Sequence, residues 1–211
     1  MTKFIPILPL SNVVYPGQKL NLHIFEPRYK QLIQECMTEN KTFGIPSSFK
    51  GALNECGTEM RLLEVSKTYA NGEMDIKTEG VMVFKLIEMI REIPNKLYSA
   101  AIVYEMPPLS FDTLVLNPTI IDLMEELHTL LGTKFDIFQK IKSPLSYDIV
   151  PYIAMSPEDQ YRLLLAESEK ARQYFIIQHL QRLIPVLTAA EATRAKVKMN
   201  GHFRKETPPE F

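Results

Sequence analysis

Cysteine is scarce. The 211 residues hold two, Cys36 and Cys56, which are too few for a disulfide framework and lie in no Cys-x-x-Cys spacing. A fold dependent on disulfides is thereby excluded, and a reducing, cytoplasmic setting is the expectation. Glycine is sparse too: the eight glycines form neither G-x-G-x-x-G nor G-x-x-x-x-G-K-[ST], so neither common phosphate cradle is present and no nucleotide cofactor is expected. No apolar run approaches the ~18 residues of a spanning helix. The richest run, residues 174–190, is broken by Gln178, His179, Gln181 and Arg182. Prolines interrupt the N-terminal FIPILPL and no small-residue cleavage site follows, so a signal peptide is not expected. Charge of one sign is also lacking. A net charge of -1 gives the whole molecule no bias toward nucleic acid, and any such contact would need a local patch.

Reactive constellations are missing as well. Four histidines, His23, His128, His179 and His202, include no H-E-x-x-H pair, and no Cys/His cluster accompanies them, so no metal is expected. There is no G-x-S-x-G, and Glu125 and Glu126 are adjacent on a predicted helix, about 100° apart in projection, where they do not face one another. Cys36 falls on the apolar face of its helix and reads as a core residue. No catalytic residue is assigned, and the chain is expected not to be an enzyme.

What is present is a β-rich first half. Residues 4–10 and 19–25 read as short strands joined through Tyr15-Pro16-Gly17, where Pro sets φ at one central turn position and Gly supplies positive φ at the next. Pro27 stands at a helix start, and Tyr29, Leu32, Ile33, Cys36 and Met37 recur at helical spacing up to Asn40. Strands are predicted over 58–69 and 73–78, joined by Asn71-Gly72 as a type I′ hairpin, then over 81–90 and 98–106. Six or so short strands with tight turns suggest a small barrel or a strongly curved sheet.

After Pro107-Pro108 the period changes to helical. Asn117-Pro118 opens one helix that stops at Gly132, Ser156-Pro157 opens a second, and a longer one beyond Ser168 carries Pro185 as an expected bend. The tail from Gly201 is polar.

Ten methionines include Met60, Met74, Met82, Met89 and Met106 in the β part. Their flexible, polarizable side chains suit a surface accepting many apolar shapes, although core filling is the plainer reading of any single one. Met74 and Met82, near the hairpin, are the candidate peptide-binding residues. The basic residues Arg194, Lys196, Lys198, Arg204 and Lys205 read as a solvated helix end.

The runs ILPLSNVVYPGQKLNLHIFEPRYKQLI, ECGTEMRLLEV, ANGEMDIKTEGVMVFKL and SPEDQYRLLLAE resemble the N-terminal substrate-binding domain of the Lon ATP-dependent proteases, over residues 4–187. The signature positions are Pro16, Gly17, Phe25, Glu26, Pro27, Arg28 and Tyr29, with Gly57 and Gly80 further on. All are taken as structural and none as catalytic. The resemblance implies an α+β fold, an N-terminal PUA-like β-barrel with one inserted helix, followed by a C-terminal α-helical bundle. The expected division is 1–108 barrel, 109–200 bundle and 201–211 polar tail.

It also implies recognition of unfolded or damaged protein segments, with an ATP-dependent protease acting in trans as a second partner, and no membrane. The Lon ATPase and peptidase modules have no counterpart in these residues, so a stand-alone, non-enzymatic recognition module is expected. The alternative is an RNA-binding PUA-like protein, which would need Lys and Arg clustered on the barrel, whereas here they are dispersed.

Overall fold

A computed structural model of the protein describes residues 1–106 and 115–201, with side chains up to 197. The elements in chain order are β1 (Thr2–Pro6), β2 (Lys19–Ile24), α1 (Pro27–Glu39), β3 (Phe43–Phe49), β4 (Ala52–Thr68), β5 (Met74–Ile90), β6 (Ala100–Glu105), α2 (Pro118–Leu130), α3 (Ile137–Lys140), α4 (Ser146–Ile149), a 3₁₀ turn (Val150–Tyr152), α5 (Pro157–Leu164) and α6 (Glu169–Gly201). This is the expected α+β class. The six strands form one sheet, ordered β1-β6-β5-β4-β3 with β2 added on β5, and every strand pairing is antiparallel.

Two contacts group the chain differently from a simple strands-then-helices division. Residues 1–106 with 147–169 belong to one compact unit, and 115–146 with 170–201 to another. The segment 147–169 is held to the strands by side chains: Tyr147 stacks on Tyr15 at 4.7 Å, and the Tyr161 hydroxyl accepts the Cys56 N–H at 3.1 Å. The boundary expected at 108/109 and residues 202–211 of the expected tail lie outside the described residues, while Gly201, where that tail was expected to begin, is the last residue of α6.

Several local predictions are corrected by the backbone. The strands expected at 73–78 and 81–90 are one 17-residue strand, β5. Over 74–79 it lies between β2 and β4, its pairing with β4 continues to Lys85, and over 84–90 it pairs with β6. The hairpin at Asn71-Gly72 exists, but only Gly72 has positive φ, at 77°. Gly72 N–H donates to the Tyr69 carbonyl at 2.9 Å and Tyr69 N–H to the Glu73 carbonyl at 2.8 Å, the pattern of a three-residue loop ending in a left-handed glycine. Positive φ at both central positions, the requirement of type I′, occurs instead at Lys50 (54°) and Gly51 (76°), between β3 and β4.

β3 itself has no counterpart in the predicted strands, because FGIPSSF contains Gly44 and Pro46. Proline is tolerated in a sheet at bulges, and the β3–β4 register shifts between Pro46 and Ser48. In the second unit α6 continues through Pro185, the position of the expected bend.

The Pro-Gly turn is built as the sequence suggests. Gln18 N–H donates to the Tyr15 carbonyl at 3.1 Å, and Gly17 takes φ of 80°. The turn is pinned to β5: Gly17 N–H donates to the Gly80 carbonyl at 2.8 Å, and Gly80 N–H to the Gln18 carbonyl at 2.9 Å. Gly80 lies where β5 passes from β2 to β6, so this turn marks the change of partner.

The core of the first unit gathers α1 (Tyr29, Leu32, Ile33, Cys36) with Ile24, Phe43, Ile45, Met60, Met74 and Ile76. A smaller cluster surrounds Phe84, with Ile5, Ile7, Ala101 and Val103. Glycine at 57 is required there, since a Cβ would come within 2.4 Å of the Ile45 carbonyl oxygen and 2.8 Å of the Phe84 ring. The two ends of the sheet path meet once, at a bridge between Ile7 and Gly44, where Leu8 N–H donates to the Gly44 carbonyl at 2.9 Å.

Candidate functional site

β4 outruns its neighbour. Its pairing with β3 ends at Phe43 opposite Met60, while its pairing with β5 continues to Thr68 opposite Met74. Over 61–68, β4 therefore has strand partners on one side only among the described residues. α1 delivers the chain to β3 through Asn40, which ends the helix in the left-handed conformation (φ 51°). The last turn of α1 is thereby set beside this flank of β4.

Between them lies a groove of about 490 Å³, lined by 36, 37 and 40–42 on one side and Arg61–Val65 on the other. Leu62 and Val65 form part of its floor and pack against the core. Met37 (48% exposed) and Leu63 (43% exposed) stand open to solvent. The β4–β5 register shifts between Leu62 and Glu64, a bulge that leaves Leu63 as the extra residue, outside the regular alternation of the strand.

The solvent face of the same strands is zwitterionic. Arg61 pairs with Glu79 at 2.7 Å and Lys77 with Glu64 at 2.6 Å. On β2, His23 Nδ1 lies 2.7 Å from Asp75 and Nε2 3.3 Å from Glu73, while the Tyr69 hydroxyl donates to Asp75 at 2.8 Å. The hydrogen bond to Asp75 leads the effects that raise the His23 pKa above its ordinary value, and the His23 bond leads those that hold Asp75 below its own.

Neither thiol is activated. Burial pushes the Cys36 thiol up to about 11 and raises Cys56 as well. Among the described residues no group of three His, Cys, Asp or Glu could hold a metal ion, and no helix is long and apolar enough to cross a membrane.

The signature residues fall into three places. Pro16 and Gly17 form the turn on Gly80, and Gly57 lies against Pro46 and Phe84. Glu26 is the residue preceding α1, with Pro27 opening the helix. The Glu26 carboxylate caps no backbone N–H; it accepts from Arg28, Oε2 to Nη2 at 2.6 Å, and the Arg28 guanidinium lies 4.6 Å from the centre of the Tyr29 ring. Tyr29 is buried and Phe25 is 58% exposed.

The methionine candidates are placed less favourably. Met74 is 6% exposed, opposite Ile24 and inside the main core, so it packs the interior and offers no surface. Met82 is half-buried on β5, opposite Glu59. Met37, expected on the buried stripe of α1, is instead open to the groove. Leu63 was not among the predicted site residues. Its signal in the sequence is Leu62-Leu63, two adjacent apolar residues between Arg61 and Glu64.

A family model described as the ATP-dependent protease La (LON) substrate-binding domain matches residues 5–182. Among solved structures, the Lon N-terminal domain protein from Xanthomonas campestris is 22% identical, with a TM-score of 0.63 over 87% of this chain and 99% of that one. The N-terminal domain of the Mycobacterium avium complex Lon protease is 15% identical, with a TM-score of 0.46 over 89% of this chain and 98% of that one.

Proposed function

The chain belongs to the family of Lon substrate-binding domains, and from that membership we propose that it is a non-enzymatic module that binds unfolded or damaged segments of other proteins. The observation carrying the reading is the groove beside β4, a concavity in which Met37, Leu62, Leu63 and Val65 are interspersed with polar residues, flanked by strand backbone that has no strand partner among the described residues. Unfolded chains expose both things such a surface can use: apolar side chains, whose burial gains roughly 25 cal/mol per Å², and free main-chain N–H and C=O groups.

The same reading takes the sheet as a PUA-like barrel, supported by the Ile7–Gly44 bridge between the two ends of the strand path. It takes the protein to work in the cytoplasm, with a protease acting in trans on what it holds. Both thiols are buried with raised pKa values, so neither is poised as a nucleophile.

The charge pattern favours polypeptide over RNA. Arg61, Lys77 and Lys85 are each paired with a carboxylate on a neighbouring strand, which leaves these cations little to offer a phosphate backbone.

The test is fluorescence anisotropy of labelled α-lactalbumin, reduced and carbamidomethylated, against the native form. Saturable binding of the unfolded form alone is expected. Equal affinity for both forms, or none for either, would refute the proposal.

A further inference from the structure

The geometry points to a specific mode of capture: the flank of β4 over 61–68 takes up a short, extended, uncharged apolar segment as an added strand, its side chains seated on Met37, Leu62 and Leu63. This rests on the reading of the protein as a binder of unfolded segments, and adds where and how.

Three features select that occupant. The first is the backbone. An unpaired strand flank is a template for main-chain pairing; proteins blunt it with proline, charged side chains, bulges or a covering element, and of these the segment carries Lys67 and bulges. The segment RLLEVSKT has no proline, and its flank opens beside a groove rather than under a cover. A ligand satisfying it must present its own main chain in extended form.

The second is charge. Arg61 is neutralised by Glu79, Glu64 by Lys77, and Lys41 at the end of α1 by Glu39. Apart from Lys67, whose ammonium lies over the Tyr69 ring at 4.3 Å, a charged segment would gain no partner among these groups and would lose hydration, while an uncharged one meets a matching surface.

The third is shape. Register shifts at Leu62/Glu64 and Val65/Lys67 break the regularity of β4, and bulges of this kind increase local twist. Two copies pairing these flanks would have to match two irregular edges, whereas a single flexible chain can follow one. The bulges also limit the added strand to a few residues, in keeping with a groove of about 490 Å³.

The experiment uses the full chain and two kinds of probe. One is the carbamidomethylated α-lactalbumin above. The other is a capped, uncharged eight-residue peptide alternating Val or Leu with Ser, together with two versions N-methylated at odd or at even residues. Hydrogen exchange followed by mass spectrometry reads the amides of 61–68, and anisotropy reads affinity for wild type, Leu63→Lys and Met37→Glu. Both substitutions are at solvent-open positions and are checked for native circular dichroism.

Strand addition predicts slowed exchange over 61–68 with either probe, at least tenfold weaker binding to one N-methylated series but not the other, and at least tenfold weaker binding by Leu63→Lys. If α-lactalbumin binds but exchange over 61–68 is unchanged, or both N-methylated series bind like the parent, strand addition is wrong while substrate binding stands. If α-lactalbumin binds and the parent peptide does not, the proposal also fails. If neither probe binds, the underlying function fails with it. Concentration-dependent dimers that protect 61–68 without any probe would make a second copy the occupant and overturn the inference.

Discussion

Gly80 lies directly beneath Tyr15: a Cβ at position 80 would be 2.1 Å from the Tyr15 carbonyl oxygen, far inside contact distance. Backbone rather than a movable side chain is the obstacle, and the reciprocal hydrogen bonds of Gly80 with Gly17 and Gln18 hold the two segments together. Gly80→Ala is therefore expected to lower stability by about 2–3 kcal/mol, the upper range for overpacking, read as a fall in the urea midpoint at unchanged slope. Gly51→Ala is the control. Its Cβ would meet nothing within 4 Å and only the positive φ (76°) is strained, so a smaller loss of about 1 kcal/mol is expected.

A buried charge ties three strands together. Glu59 on β4 is 2% exposed and accepts from Lys3 on β1 at 2.5 Å, while Lys3 also reaches Glu105 of β6 at 3.5 Å. Glu59 Oε2 has no hydrogen-bond partner among the described residues. Lys3→Met would leave the carboxylate buried without its cation. Because the Lys3 side chain is itself 31% exposed, water offsets part of the loss, and about 1–3 kcal/mol is expected. The double substitution Lys3→Met with Glu59→Leu should be less destabilised than the sum of the two singles. Additivity within ~0.5 kcal/mol in denaturant melts would show that the pair is not coupled.

Both thiols are expected to be silent in the native state. Cys36 is 3% exposed with its pKa pushed up to about 11 by burial, and Cys56 is 6% exposed with its pKa also raised. Thiolate is the attacking form, so a colorimetric disulfide reagent at pH 8 should modify neither until the chain unfolds. A burst of one thiol per molecule in native buffer would contradict this placement.

Elements whose signals are local were legible in the sequence. Pro27 and the spacing of Tyr29, Leu32, Ile33 and Cys36 are sufficient for α1, and Asn117-Pro118 for α2, where the Asn117 side chain accepts from Thr119 N–H at 2.9 Å. What was missed depends on partners distant in sequence. β3 pays for Gly44 and Pro46 by pairing with β4, and nothing within FGIPSSF announces that. Lys50 enters positive φ because the β3–β4 hairpin demands it, a conformation a lysine does not advertise. The groove was illegible for the same reason: it exists because β4 continues past the end of β3, a difference in strand lengths that no single segment encodes.

The His23 cluster supplies a pH dependence whose sign can be worked out. His23 faces Asp75 and Glu73 from β5 and the β4–β5 loop, with Tyr69 and Phe25 beside its ring at 5.6 and 6.3 Å. Its folded pKa is raised above the ordinary 6.5, first by the hydrogen bond to Asp75. The stabilisation this represents is fully present below pH 6.5 and is lost as pH rises through the raised folded value. Asp75 runs the other way: its pKa is depressed below 3.8, so its contribution is present above 3.8 and is lost as pH falls through the lowered folded value. The charged clamp between β2 and β5 is thus complete only between those two limits. Proton NMR titration of the His23 ring should give a midpoint above 6.5, returning toward 6.5 in Asp75→Asn and only partly in Glu73→Gln, since Asp75 leads the shift and Glu73 follows. A wild-type midpoint at or below 6.5 would mean that water screens these carboxylates completely and that the clamp carries no pH dependence.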